Sequence, residues 1–356
     1  MEYSKQYLAA FGAVPKITTK CWQGIMSYFP NLETAWSASP QELKSANIPE
    51  SFIVELLEYR KNHTPQDIWQ RLQDNKIDII CIQDPIYPEI LKEIHSPPFA
   101  LYVMGEIQPK DETAIAVVGS RRCSDYGKSV TKEISSVLAK SGVTIISGLA
   151  YGIDSAAHQA ALGAGGRTIA VIGSGLDKIY PAENQQLANR ILNNGAIISE
   201  YPLGMPGLTQ NFPARNRIIS GLSQGVLIIE AGEKSGTIYT ANFALEQNRQ
   251  LYAIPGSIFN PLSAGPNSLI RAGAKPVLSA NDILEDMGYQ DVPAQKQTPE
   301  GDEETLIFEI LQSGPKQIDE IAREAEQPVQ EISQILSLME LKGKLNHLGG
   351  MVYALK

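Results

Sequence analysis

AIAVVGSRRCSDYGKSVTKEISSVLAKSGVTIISGLAYGID, residues 114–154, decides the fold. An apolar run from Ala114 to Val118 stops at Gly119-Ser120-Arg121-Arg122. Val130, Ile134, Val137 and Leu138 then recur at helical spacing, and a second apolar run, Val143 to Ile146, stops at Ser147-Gly148. Short continuous apolar runs bounded by such turns read as strands buried on both faces, with a covering helix between them. Strand, turn, helix, strand is the opening unit of a doubly wound sheet, which binds ligands outside the carboxyl ends of its strands. The turn after the first strand therefore announces the ligand class.

That turn matches neither common nucleotide fingerprint. A dinucleotide turn, G-x-G-x-x-G, needs its second glycine so that the backbone can approach a pyrophosphate, and Arg121 stands there. Gly127-Lys128-Ser129 looks like the end of a P-loop, but the first glycine of that motif would be residue 122, an arginine. Neither NAD nor ATP is supported, and no cofactor is expected. What the turn offers is a helix N-terminus, whose free N–H groups attract anions, and two guanidiniums suited to phosphate.

The 356 residues suggest two or three domains. MEYSKQYLAA has no basic, then apolar, leader pattern, and no apolar run approaches the roughly 20 residues that span a bilayer. Cys21, Cys81 and Cys123 are far apart, and His63, His95, His158 and His347 are scattered. A disulfide framework or zinc cluster is not expected, and a reducing cytoplasm fits. The net charge of −9 excludes bulk electrostatic attraction to nucleic acid, so any such binding needs a local patch.

Residues 1–80 read as a small helical domain in which Asn47-Ile48-Pro49-Glu50-Ser51 joins two helices, a SAM-like or helix-hairpin-helix arrangement. Residues 81–110 read as a connecting segment with a strand at Ala100–Met104. Over 111–288, strands at 168–172, 196–199, 226–230, 251–254 and 276–278 alternate with helices, the pattern of one mostly parallel, Rossmann-like α/β sheet. Residues 289–301 read as a polar, proline-bearing linker. Three helices and a hairpin over 302–356 read as a winged helix, but with ten acids against five bases after residue 300, and Glu331 and Glu340 on its presumed recognition helix. Such a unit repels phosphate, and a protein contact suits it at least as well.

Four glycine- and polar-rich loops, 119–122, 147–154, 173–180 and 230–237, are expected to converge on one sheet edge. Beside them Asn211-Phe212-Pro213-Ala214-Arg215-Asn216-Arg217 reads as a loop immediately before a helix, with Pro213 breaking the preceding structure. Arginines next to an aromatic ring are the pattern of a single-stranded nucleic-acid groove, in which cations track the backbone and a base stacks on the ring. The competing reading is that Phe212 is core and the arginines pair with Glu200 or Glu230. His158 has no nucleophile beside it, and Asp154 fits a helix N-cap.

VVGSRR (117–122), SGLAYGIDSAAH (147–158), TIAVIGSGLDKIYPAEN (168–184), ISEYP (198–202), FPARNRIISGLS (212–223), EAGEKSGTIYTANFALEQNR (230–249) and AIPGSIFNPLSAGPNSLIRAGA (253–274) together resemble the DNA-processing protein A family, also called DprA or Smf. The resemblance implies an extended Rossmann core that binds single-stranded DNA without doing chemistry on it. It also implies a homodimer formed through that core, and loading of RecA recombinase in natural transformation. Carried over residue by residue, it places DNA contacts on Ser120, Arg121, Arg122, Phe212, Arg215, Asn216 and Arg217, with Tyr151 and Lys178 on neighbouring loops.

The enzymatic alternative is a nucleoside-monophosphate phosphoribohydrolase similar to the LOG family, whose P-G-G-x-G-T-x-x-E turn ends in a catalytic glutamate. Here Gly236-Thr237 are kept, but after Ile238 and Tyr239 the place where an acid is required holds Thr240. A protein scaffold is the third class, and it predicts no nucleic-acid binding at physiological salt.

Overall fold

The structure, a computed structural model, describes residues 4–289, 299, 301–342 and 344–355. The linker expected over 289–301 therefore lies mostly outside the described residues. Two compact units divide near residue 290.

In the first unit, nine strands form one sheet: β1 (Ile77–Cys81), β2 (Ala100–Gly105), β3 (Ala114–Val118), β4 (Thr144–Ser147), β5 (Thr168–Ile172), β6 (Gly195–Ser199), β7 (Gly225–Ile228), β8 (Gln250–Ala253) and β9 (Lys275–Pro276). Their order is β1-β2-β6-β5-β4-β3-β7-β8-β9. All pairs from β6 to β9 are parallel, and β1 and β2 add an antiparallel edge. The chain runs outward from β3 to β6, then returns to the other side of β3 for β7. The junction of β3 and β7 is thus the switch point of the sheet, where open α/β folds hold their ligands.

Among the described residues of this unit, fourteen α-helices flank the strands. Before β1 come α1 (Lys5–Ala13), α2 (Thr19–Tyr28), α3 (Leu32–Ser37), α4 (Pro40–Ser45), α5 (Glu50–Asn62) and α6 (Pro65–Asp74); α7 (Glu89–Lys92) lies between β1 and β2. Then come α8 (Asp125–Lys140), α9 (Ile153–Gly163), α10 (Gln185–Ile191), α11 (Asn211–Gly221), α12 (Thr237–Glu246), α13 (Ala264–Arg271) and α14 (Asn281–Asp286). The central strands have no polar face: every residue of β3, β4, β5, β6 and β7 is buried, as helices on both sides require.

The expected boundary after residue 80 is not a break. It falls inside β1, and one hydrophobic core joins Leu8, Phe11, Trp22 and Leu56 of the helices to Ile79, Tyr102, Ala170 and Ile172 of the sheet. Phe11 meets Trp22 and Trp36 edge-on at 5.9 and 5.2 Å, and Trp22 stacks on Phe99 at 4.2 Å. Each such aromatic contact contributes about 0.5–1.5 kcal/mol beyond its buried area. The helices are therefore anchored to β1 and β2. The 81–110 segment supplies β2 itself.

The second unit holds α15 (Asp302–Leu311), α16 (Ile318–Glu324) and α17 (Val329–Leu341), with β10 (Lys316–Gln317), β11 (Leu345–Gly349) and β12 (Val352–Leu355) in the order β10-β12-β11. Ile307, Ile321, Ile332, Leu336 and Tyr353 fill its core. Three helices with a hairpin and one short extra strand make a winged helix, as expected. Glu304, buried, accepts from Lys342 and Lys344 at 2.7 and 2.6 Å, which occupies two of the few cations of this acidic unit. Among the described residues no helix is long and apolar enough to cross a membrane.

Candidate nucleic-acid interface

The turn after β3 is held from three sides. Ser120 donates its backbone N–H to the carbonyl of Glu230 at 2.7 Å, Ile153 N donates to the Ser120 carbonyl at 3.2 Å, and Arg122 N donates to Ser120 Oγ at 3.1 Å. Gly152 permits the approach of the second loop. Its φ is +75°, and a Cβ there would lie 2.3 Å from the Ser120 carbonyl oxygen. With the backbone pinned, Arg121 and Arg122 are both exposed.

The helix that follows has its N-terminus met from within the protein. Ser124 caps α8, with Gly127 N donating to its Oγ at 3.0 Å, and the buried carboxylate of Glu230 accepts from Ser124 N at 2.8 Å and Ser124 Oγ at 2.5 Å. The expected anion site at this N-terminus is occupied by the protein's own carboxylate. The guanidiniums of Arg121 and Arg122 are what the turn presents to solvent.

FPARNR is also not a loop. Helix α11 begins at Asn211, so Pro213 sits in its first turn, where a missing N–H costs nothing. Helical spacing then turns Asn211, Arg215, Ile218 and Ile219 into the core. Arg215 is only 4 % exposed and donates to the carbonyls of Gly148 and Val171. Burial pulls its pKa down to about 10, opposed by the carboxylate of Asp154. It remains a cation at neutral pH, spent on the floor of the site. The role expected for it, a phosphate clamp, is corrected to that of an internal cation.

Arg217 likewise bonds Glu200 Oε1 at 2.6 Å, the pairing that the competing sequence reading named. Asn216 is half-buried beside it. These two are not brought to the depression described next.

Phe212 is half-buried and central. Its ring rests against Gly173 and Gly207, whose missing side chains leave it room (a Cβ on either would come within 3.2 and 3.0 Å). The Arg121 guanidinium lies 5.6 Å from its centroid, and the Tyr180 ring 5.4 Å away at 44°. Arg121, Tyr151, Tyr180, Pro181, Phe212 and Arg215 line one shallow depression at the carboxyl edge of the sheet. Tyr180, half exposed, is a site residue that the sequence reading missed; its place two residues beyond Lys178 at a strand-end loop was the available signal. Tyr151 donates to Glu183 Oε2 at 2.5 Å, a bond that raises its pKa to about 12 and lowers that of Glu183. Lys178 is exposed on the same loop as Tyr180.

Asp154 is not the N-cap of α9; Gly152 occupies that place, and Asp154 Oδ2 accepts from Gly148 N at 3.1 Å, closing the loop that carries Tyr151. Burial raises its pKa and Arg215 opposes the shift. His158 is fully buried, its Nδ1 2.6 Å from Thr168 Oγ1, and burial drops its pKa to about 3. A neutral, enclosed imidazole has no access to substrate. Among the described residues no three His, Cys, Asp or Glu side chains cluster as metal ligands. The arrangement can stack a flat ring and meet an anion.

Comparison with known proteins places this geometry. The sequence profile of the family described as DNA recombination-mediator protein A matches residues 78–288, and that of the DprA winged helix domain matches 291–351. Protein Smf of Synechocystis sp. is 40 % identical over 287 residues, 79 % of this chain and 72 % of that protein. Protein Smf of Escherichia coli is 43 % identical over 276 residues, 74 % of each. The crystal structure of DNA processing protein A from Streptococcus pneumoniae superposes with a TM-score of 0.70 at 34 % identity, covering 80 % of this chain and 99 % of that one. DNA processing protein A from Helicobacter pylori, whose structure addresses its single-stranded DNA binding mode, superposes at 0.54 with 30 % identity over 60 % of this chain and 97 % of that one.

Proposed function

The chain belongs to the DNA recombination-mediator protein A family, and from that premise we propose that it binds single-stranded DNA at the carboxyl ends of β3, β4 and β5 as a non-catalytic recombination mediator. The observation that carries this reading is the exposed guanidinium of Arg121 over the half-buried ring of Phe212, with two further exposed tyrosines, Tyr151 and Tyr180, at the same depression. Rings and cations alternating at one edge suit an unstacked strand, because every base has a π-face and every linkage a charge. Arg121, Arg122 and Lys178 meet phosphates, Ser120 holds their turn, and Phe212 stacks a base. A duplex competes poorly, since its paired bases do not reach the ring.

In this reading the protein works in the cytoplasm as a homodimer, shields incoming single strands and hands them to RecA. The family supports these roles. The excess of acids over bases in the winged unit, with Glu331 and Glu340 on α17, supports a protein rather than a DNA contact for it.

The test is a salt-titrated anisotropy comparison of single- and double-stranded oligonucleotides with the full chain. Single strands are expected to bind at least tenfold tighter, about 1.4 kcal/mol. Equal affinities, or release of ribose 5-phosphate from AMP, overturn the reading; the second result would restore the hydrolase that Thr240 argues against.

A further inference from the structure

Glu230 follows β7 at the switch point and is 1 % exposed. Both of its carboxylate oxygens accept hydrogen bonds, and both come from Ser124 at the start of α8. Gly127, in the first turn of that helix, leaves room for the carboxylate: a Cβ there would lie 2.4 Å from Oε2. Among the described residues no Lys or Arg forms an ion pair with it. Its countercharge is the N-terminal end of the 16-residue helix α8. The same residue uses its carbonyl to hold Ser120 N. One side chain thus fills the position where a doubly wound sheet otherwise seats a phosphate, while its backbone fixes the turn that carries Arg121 and Arg122.

We propose that Glu230 is the resident anion of this seat, a specificity and positioning residue that bars a free phosphate or monophosphate from the switch point and locks the arginine turn outward. The exclusion of phosphate follows from occupancy alone. The effect on DNA rests on the single-strand reading above.

Glu230→Ala and Glu230→Gln in the full chain separate charge from shape. The Ala variant empties the seat, so it should melt lower than the wild type and be raised again by formate or inorganic phosphate, with formamide inert and the wild type indifferent to all three. Its affinity for an oligo-dT strand should fall about tenfold and recover with formate. The Gln variant keeps the shape without the charge, so it should bind the strand more weakly and ignore formate because the seat is filled. A Gln variant with wild-type melting and affinity overturns the proposal, as does a folded Ala variant that responds to neither anion. If the Ala variant does not fold, the Gln variant decides alone. If the wild type fails to bind DNA, the functional reading falls while the melting response to formate and phosphate still judges the seat.

Discussion

Arg121 and Arg215 are the same side chain at two ends of one depression, put to opposite uses. Arg121 stands on a pinned turn with its guanidinium over an aromatic ring and open to solvent. Arg215 lies one helical turn into α11, on the face with Ile218 and Ile219, and gives its hydrogen bonds to two strand-end carbonyls. Their neighbours repeat the contrast: Arg122 is exposed, whereas Arg217 is held by Glu200. A guanidinium binds phosphate only when its local backbone leaves it unsatisfied by the protein. Charge counted along a sequence does not make that distinction; helical phase does.

The contrast breaks most readily at Arg215. Arg215→Ala removes the cation that faces buried Asp154, and loss of one partner from a buried charged set costs about 3–5 kcal/mol. Chemical denaturation should show that loss, while the folded fraction keeps its salt dependence for single strands. A loss below about 1 kcal/mol would return Arg215 to the ligand-binding side of the comparison.

Acid probes the same interior. The pKa of His158 is depressed to about 3, chiefly by burial and secondarily by the charge of Arg215, against about 6.5 when unfolded. The unfolded chain therefore binds the extra proton first. Stability from this group is whole above pH 6.5 and falls by up to about 1.4 kcal/mol per pH unit as pH drops toward 3. His158→Gln should flatten that part of a stability–pH curve; an unchanged curve would mean the imidazole is not enclosed.

On the exposed side, Phe212→Ala should cost about 1–3 kcal/mol of single-strand affinity with the salt slope nearly unchanged. Arg121→Ala and Arg122→Ala should do the reverse, each flattening the slope by about 0.7 with no change in denaturation midpoint. Arg217→Ala should be the mildest, within about 1 kcal/mol in stability, because its pair with Glu200 is partly solvated. A full 0.7 loss of slope in Arg217→Ala would show that the Glu200 pair opens to admit a phosphate.

Strands of the parallel sheet were legible because nothing polar interrupts them: Ala114–Val118 and Thr168–Ile172 have the bounds that hydrophobicity predicts. β1 was hidden, since Ile77–Cys81 carries Asp78 and follows a helical segment without a marked turn. The start of α11 was misread because proline signals a break along the chain, yet in a first turn it has no bond to lose. The filled N-terminus of α8 had no local signal at all. Ser124 and Glu230 are 106 residues apart, and only the crossing from β6 back to β7 makes them neighbours. What the sequence hid in the site was partnership: which cations the fold itself consumes.

Leu149 and Leu176 belong to the strand-end loops of the depression, yet both sink into the core that the six N-terminal helices share with the sheet. A helical segment that contributes no residue to the depression thus forms part of its foundation. Loosening α1 or α2 would be felt at β1 and β2, and through the same core at the loops that carry Tyr151 and Tyr180.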